Sequence, residues 1–374
     1  MTTNLSLDER PAASTATEHP RTRDLRVRTM GPLLRPGDVL RNLPLSDAAA
    51  ATVARTRGEL VRILNGDDSR LLVVVGPCSV HDPEAGIDYA RRLRQLAGDV
   101  ADDLLIVMRL YFEKPRTTVG WKGLINDPHL DGTYASNEGL TIARQLLLAV
   151  VELGLPVGCE FLDPISPQFI SDAVTWGAIG ARTSESQVHR GLASGLSMPI
   201  GFKNSTDGRV SIAMDAVKTA SHPHSFFGVD EDGRAAIVLT DGNPDCHIVL
   251  RGSAGTPNHG AASVQQALAA LREHHLPARV IIDASHDNSA KDYRRQPLVA
   301  GEIAQQVAAG EGGIRGVMLE SFLVDGRQDL RQKDSLVYGQ SITDACMGWE
   351  MTLPVLRELA QAARARRAAL PATA

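Results

Sequence analysis

A chain of 374 residues with 22% charged side chains and a formal net charge of −5 lacks the basic excess of a nucleic-acid-binding protein. With 43% hydrophobic residues it can bury a large core, which excludes wholesale disorder. No apolar run nears the roughly 20 residues that span a bilayer, the first thirty residues hold Asp8, Glu9 and Glu18 without the apolar stretch of a secretory signal, and Cys78, Cys159, Cys246 and Cys346 form no CxxC pair; these features predict a cytoplasmic protein with reduced thiols and no membrane partner.

Residues 1 to about 20 are small and polar and read as a disordered tail. Residues 21–68 read as an N-terminal extension: an irregular arm with Pro32, Pro36 and Gly37, then a helix from a cap near Ser46 or Asp47 to Asn65-Gly66. From residue 69 to 374 short apolar runs alternate with amphipathic helices. The runs are Leu71–Val75, Leu104–Met108, Leu155–Glu160, Ala178–Ala181, Met198–Phe202, His247–Leu250, Val280–Asp283 and Gly316–Leu319. Their unbroken apolar character fits parallel strands buried on both faces. Asp82-Pro83 reads as an N-cap with Pro at the first helical position. Asn137 reads as the cap of a helix stopped at Gly154, and Ser166-Pro167 as the opening of one that ends at Gly177. A last helix is expected from about Asp344 to Arg367. Eight β-then-α units predict an α/β chain closed as a (β/α)8 TIM barrel, and the absence of GxGxxG and P-loop motifs removes the common open-sheet readings. Two additions stand out: a long loop, Tyr111–Ser136, and two β-like runs around Asp230-Glu231-Asp232-Gly233 that read as a hairpin, about 225–242, inserted before the sixth strand.

In a barrel the chemistry gathers where strands end and βα loops begin. Those positions hold Cys78, Arg109, Glu160, Ala181-Arg182, Lys203, Arg251, His286, Glu320 and, ahead of the final helix, Asp344. A lone buried Cys is most often a small core residue and a lone His most often a structural one. A thiol, an imidazole and two carboxylates at one end of a barrel instead suit a divalent ion, so Cys78, His286, Glu320 and Asp344 are candidate metal ligands. Arg109, Lys114, Arg116, Arg182, Lys203 and Arg251 form a second set. Any one of them alone reads as a surface residue, but six cations at one mouth repel one another unless the ligand between them is anionic. Metal plus cations implies an enzyme for phosphorylated, carboxylate-bearing small molecules. The residues alone leave condensation, isomerisation and hydrolysis open.

Longer strings narrow the choice: Gly76-Pro77-Cys78-Ser79-Val80-His81-Asp82, Arg109–Pro128 (RLYFEKPRTTVGWKGLINDP), Gly180–Arg190 (GARTSESQVHR), Gly201–Gly208 (GFKNSTDG), Ser341–Cys346 (SITDAC) and Gly348-Trp349. From about residue 30 almost to the end the chain resembles the type I, feedback-regulated 3-deoxy-D-arabino-heptulosonate 7-phosphate (DAHP) synthases. The resemblance implies condensation of phosphoenolpyruvate with erythrose 4-phosphate, the first step of the shikimate pathway. It assigns the metal to Cys78, His286, Glu320 and Asp344, with Mn2+ first and Co2+, Fe2+ or Zn2+ as alternatives. It places phosphoenolpyruvate against Arg109, Lys114, Arg182, Lys203 and Arg251, near Glu160 and the Ala181 backbone, and erythrose 4-phosphate against Lys114-Pro115-Arg116-Thr117. Lys114, Cys78 and His286 become the expected catalytic residues, with Lys114, Glu160 and His286 each arguable as the group that activates water. An aromatic amino acid effector is also implied. The arm has too little apolar surface to fold alone, which predicts that it packs on a neighbour in a homodimer or homotetramer. Three rivals remain: an imine-forming aldolase using Lys203, an octulosonate-phosphate synthase, and a non-catalytic regulatory paralogue. Borohydride trapping, the choice of aldehyde and the absence of phosphate release, respectively, are the observations that favour each.

Overall fold

The computed structural model describes residues 22–116, 118–330 and 335–369. The expected tail over residues 1–20, and Thr117, lie outside the described residues. Apolar runs without polar interruption cannot leave either face in water, and they become the staves of a closed parallel barrel. The strands are β1 (Leu71–Gly76), β2 (Leu104–Arg109), β3 (Val157–Glu160), β4 (Trp176–Ile179) and β5 (Ile200–Lys203); a hairpin of β6 (His224–Val229) and β7 (Ala235–Thr240) stands outside the barrel, which resumes with β8 (His247–Leu250), β9 (Val280–Asp283) and β10 (Ile314–Glu320). The order is β1-β2-β3-β4-β5-β8-β9-β10, and β10 closes on β1 with Gly76 beside Glu320. A small parallel pair, β11 (Val324–Arg327) and β12 (Gln340–Ser341), follows.

The period of two divides each strand between two cores. Leu72, Val74, Leu105, Val107, Trp176, Val249, Ile281 and Met318 fill the barrel, whereas Leu71, Val73, Val75, Leu104 and Ile106 meet the helical layer. Each such side chain stabilises the fold by about 1.5–3 kcal/mol on burial. The helices are α1 (Pro36–Asn42), α2 (Asp47–Asn65), α3 (Pro83–Asp99), α4 (Ser136–Glu152), α5 (Pro167–Ile170), α6 (Gln187–Gly195), α7 (Val210–Ala220), α8 (Ala261–Glu273), α9 (Gln296–Ala308) and α10 (Trp349–Ala369). Ser46 caps α2 by accepting from the Ala49 N–H, Gly66 ends it at φ +91°, and Asp82 caps α3 by accepting from Glu84 and Ala85. Leu60, Ile63 and Leu64 of α2 join the interior cluster, so this helix belongs to the barrel's own core.

Several expectations needed correcting. The arm is not irregular throughout, since it contains α1. Asn137 is not a cap: α4 starts at Ser136, and the Asn137 amide accepts from Leu34 N–H at 2.9 Å and donates to Pro32 O at 3.1 Å, pinning the arm. The helix opened by Ser166-Pro167 lasts one turn, α5, plus a 3-10 turn at Ser171–Ala173. Arg57 of α2 takes the Ser171 and Val174 carbonyls at 2.7 and 2.9 Å, so α2 covers this face instead. Gly177 is a strand residue rather than a stop, because a Cβ there would lie 2.4 Å from Ile200 Cδ1. The fourth strand runs two residues earlier than expected, leaving Ala181 in the following turn. The final helix begins at Trp349, leaving Asp344 in the loop before it.

One buried polar pair makes the fold acid-sensitive. His247, 2% exposed, accepts from Trp176 Nε1 at 3.1 Å, and burial with Arg279 nearby pushes its imidazole down to about 3 from 6.5. A depressed folded value means that this group's contribution is complete above the unfolded value and is lost as pH falls from 6.5 towards 3. Stability is therefore expected to drop by about 2 kcal/mol between pH 6.5 and pH 5 on this account alone. His247→Gln, which keeps an acceptor for Trp176 but does not titrate, should flatten that slope in urea unfolding; an unchanged slope refutes the assignment.

Candidate active site

Backbone geometry at the C-terminal ends of the strands creates the site. At the end of β1, a Cβ on Gly76 would lie 2.4 Å from Arg109 O, so only glycine permits this approach, and the turn through Pro77 aims Cys78 inward. Arg109, Glu160, Lys203, Asp283 and Glu320 are the last residues of β2, β3, β5, β9 and β10. Strand direction alone carries all five to one mouth.

Three of the four expected metal ligands converge. The donor atoms of Cys78, Glu320 and Asp344 lie within 4.8 Å of one another. His286 adjoins them, with Nε2 3.7 Å from Glu320 Oε1. Its Nδ1 lies 2.8 Å from Asp283 Oδ2. With Nδ1–H donating to Asp283, the ring's lone pair sits on Nε2, the atom that faces Glu320. The donor set draws positive charge: Lys114 Nζ donates to Cys78 Sγ at 2.9 Å and to Asp344 Oδ2 at 2.8 Å. Burial, reinforced by Glu320 and Asp344, pushes the Cys78 thiol up to about 12. Burial opposes the charge on Asp344, yet Lys114 and His286 hold its carboxyl below the usual range. Two acids, a thiol and an adjacent imidazole suit a borderline divalent cation.

The cations line one cavity of about 240 Å³ with Glu160, Ala181, His286 and Asp344. Arg109 is 1% exposed; it donates to Glu320 Oε1 at 3.0 Å and lies 3.7 Å over the Tyr111 ring. Lys203 donates to Asp283 Oδ2 at 2.9 Å, and Arg251 pairs with Asp287. Arg116 donates through Nε to Trp121 O, and Pro115 and Arg182 complete the wall. A Cβ on Gly180 would lie 2.3 Å from Glu160 Oε1, so this glycine leaves room for the carboxylate. Ser205 is not in the left-handed region, and its hydroxyl accepts from the Arg209 N–H at 3.1 Å.

Some residues of the site were missed. Asp283, fully buried, receives Lys203, His286 and the Ser285 hydroxyl. Burial opposes its charge, but His286 and Lys203 hold its carboxyl well below the ordinary range. Asn288 accepts from the Asn258 N–H at 2.7 Å and donates to Leu250 O and Asp283 O, tying the loop of Arg251 to the end of β9. Lys291 also lines the cavity. Asp283 ends a predicted strand, a signal that could have placed it; nothing local marks Asn288 or Lys291.

An eight-stranded parallel barrel with this mouth belongs to the class of (β/α)8-barrel enzymes for small anionic substrates. Comparison with known proteins specifies the family. The DAHP synthetase I family matches residues 44–357. The chain is 54% identical over 344 residues (92% of this chain, 98% of the relative) to the Phe-sensitive phospho-2-dehydro-3-deoxyheptonate aldolase of Escherichia coli K12. It is 56% identical over 355 residues (93% and 96%) to the phospho-2-dehydro-3-deoxyheptonate aldolase of Corynebacterium glutamicum. A solved structure of phospho-2-dehydro-3-deoxyheptonate aldolase from Francisella tularensis superposes with a TM-score of 0.89 at 48% identity, covering 91% of this chain and 99% of that one. The chain belongs to the DAHP synthetase I family, the family of 3-deoxy-7-phosphoheptulonate synthases.

Proposed function

We propose that the mouth of the barrel condenses phosphoenolpyruvate and erythrose 4-phosphate, with water, to DAHP and phosphate. The observation that carries this reading is that one cavity holds the expected cations together with His286 and Asp344 of the donor set, and Lys114 touches both halves. Arg109, Lys114, Arg182, Lys203 and Arg251 bind the carboxylate and phosphate of phosphoenolpyruvate and aim its C3; Lys114, Pro115, Arg116 and Thr117 receive erythrose 4-phosphate. Orientation of this kind can supply roughly 7–11 kcal/mol. Cys78, His286, Glu320 and Asp344 hold a divalent ion, Mn2+ first, which when bound supplies Lewis acidity at the aldehyde oxygen. Carbon–carbon bond formation, addition of water at C2 and departure of phosphate with its C–O bond broken complete the balance. Lys203 donates to Asp283 Oδ2 at 2.9 Å, so this amine is held against a carboxylate rather than presented to a carbonyl carbon.

The relatives include a Phe-sensitive enzyme and a tyrosine-inhibited one from Schizosaccharomyces pombe. For this chain we propose feedback by an aromatic amino acid through the extension and hairpin, which touch where the Gly37 N–H donates to Glu231 O at 2.8 Å. Within the extension (residues 21–68) the arm is read as regulatory and α2 as part of the barrel's core, with residues 69–374 as the catalytic unit of a cytoplasmic enzyme; among the described residues no helix is long and apolar enough to cross a membrane. Phe227, Ile237 and Leu239 alternate onto the outer face of the hairpin at 88%, 69% and 78% exposure, an apolar row suited to a second copy of the chain in a dimer or tetramer.

The test is consumption of phosphoenolpyruvate with erythrose 4-phosphate and Mn2+, repeated with Phe, Tyr and Trp, alongside sedimentation at micromolar concentration. Turnover, inhibition by one of the three and a dimer or larger species are expected. No phosphate release from both substrates with metal present refutes the catalytic reading, and a monomer refutes the assembly.

A further inference from the structure

The deep cations of the cavity are matched by acids: Arg109 by Glu320, and Lys203 by Asp283. Lys291 lines the same cavity but is exposed, and among the described residues its side chain has no hydrogen-bonding or ionic partner. Its backbone is held at some expense in energy. Ala290 and Lys291 take φ of +53° and +59°, and His286, which starts the loop, takes +51°. Non-glycine residues in this region cost about 1–3 kcal/mol each and persist where the surroundings enforce them. The Lys291 N–H donates to His286 O at 2.6 Å and closes the turn, so the root of the side chain is fixed relative to His286. A smaller hollow of the site joins Lys291 to His286, Glu320 and Asp344, which places the lysine on the metal-donor side.

An exposed, unpaired ammonium at the rim, beside the donors that would polarise an aldehyde, fits an anionic group at the far end of that aldehyde. In the reading above Arg109, Arg182, Lys203 and Arg251 serve the enolpyruvate, and Arg116 meets the aldehyde substrate, which Lys291 of the same cavity would join. Resting on the condensation reading above, we infer that Lys291 binds the phosphate of the aldehyde substrate and so sets the distance between that phosphate and the reacting carbonyl. A charge-assisted hydrogen bond at an exposed rim falls at the lower end of the range for such contacts, about tenfold in affinity.

Steady-state kinetics of Lys291→Met test this. The KM for erythrose 4-phosphate should rise about tenfold while that for phosphoenolpyruvate stays within about twofold. Lys291→Arg should recover most of the loss. With unphosphorylated erythrose, parent and Lys291→Met should have the same kcat/KM, because the phosphate is missing from the substrate in both. An unchanged KM for erythrose 4-phosphate, an equal rise in both KM values, or the same loss with erythrose overturns the assignment. A parent protein inactive with both phosphorylated substrates overturns the condensation reading itself, a result separable from an active parent that Lys291→Met matches.

Discussion

Cys78→Ala is expected to lose kcat/KM by roughly 10³-fold or more while keeping its fold. The side chain is fully buried and lies among Lys114, Asp344 and Glu320, so its removal takes one donor from a set of three whose donor atoms lie within 4.8 Å of one another. Removing one preorganised stabiliser of developing charge costs about 10²–10³ in kcat, and loss of a ligand also loosens the ion that the others must hold. Far-UV circular dichroism should match the parent, since Ala fills most of the space of a Cys. The parent should lose activity on chelation and regain it with Mn2+, whereas the variant should need far more metal and recover little. Metal affinity and turnover equal to the parent's in Cys78→Ala would remove the thiol from the centre.

Asp283→Ala is expected to damage both stability and chemistry. Asp283 is fully buried, and it holds Lys203, itself 3% exposed, together with Nδ1 of His286. Deleting one partner of a buried ion pair leaves the other charge without compensation and costs about 3–5 kcal/mol. The same deletion frees the His286 ring to turn, with an expected loss of about 10- to 100-fold in metal affinity or activity, as for other residues that orient a metal-ligating His. Asp283→Asn keeps the shape and one acceptor, and should fall between parent and Ala in both properties. The pH sign follows from the depressed carboxyl: its contribution is present above the ordinary unfolded value and is lost as pH falls through the folded one. Urea unfolding at neutral pH and a metal titration check the two halves separately. Unfolding free energy and metal affinity within error of the parent's would contradict both.

The barrel was legible because its strands are apolar on both faces, and its ends because Gly66 and Asp82 carry local conformational signals that neighbours seldom override. The short crossover after Ser166 was not legible. A Ser-Pro start followed by a glycine looks like a whole helix, yet Arg57 from α2 takes the Ser171 and Val174 carbonyls and the chain enters β4 early. Asn137 misled in the same way, since a good capping residue was recruited by the arm. The site shows the same division. The strand-end rule delivered Arg109, Glu160, Lys203 and Glu320, because a parallel strand must present its last residue at one mouth, and it delivered Cys78 just past the end of β1. Asn288 and Lys291 lie on a loop whose course is set by φ values and hydrogen bonds that leave no periodic trace.

From its sequence alone, this protein is determined to be a parallel barrel of the DAHP synthetase I type with a set of candidate ligands and cations, since burial on both faces and a long specific string of residues are local properties. Tertiary structure decided which charges neutralise which: that Asp283 takes both Lys203 and His286, that Lys114 rests on the candidate metal donors, and that among the described residues the Lys291 side chain has no partner. Such pairings depend on distances of a few ångströms between strands far apart in the chain, and electrostatic energy in a buried site changes by kilocalories over that range.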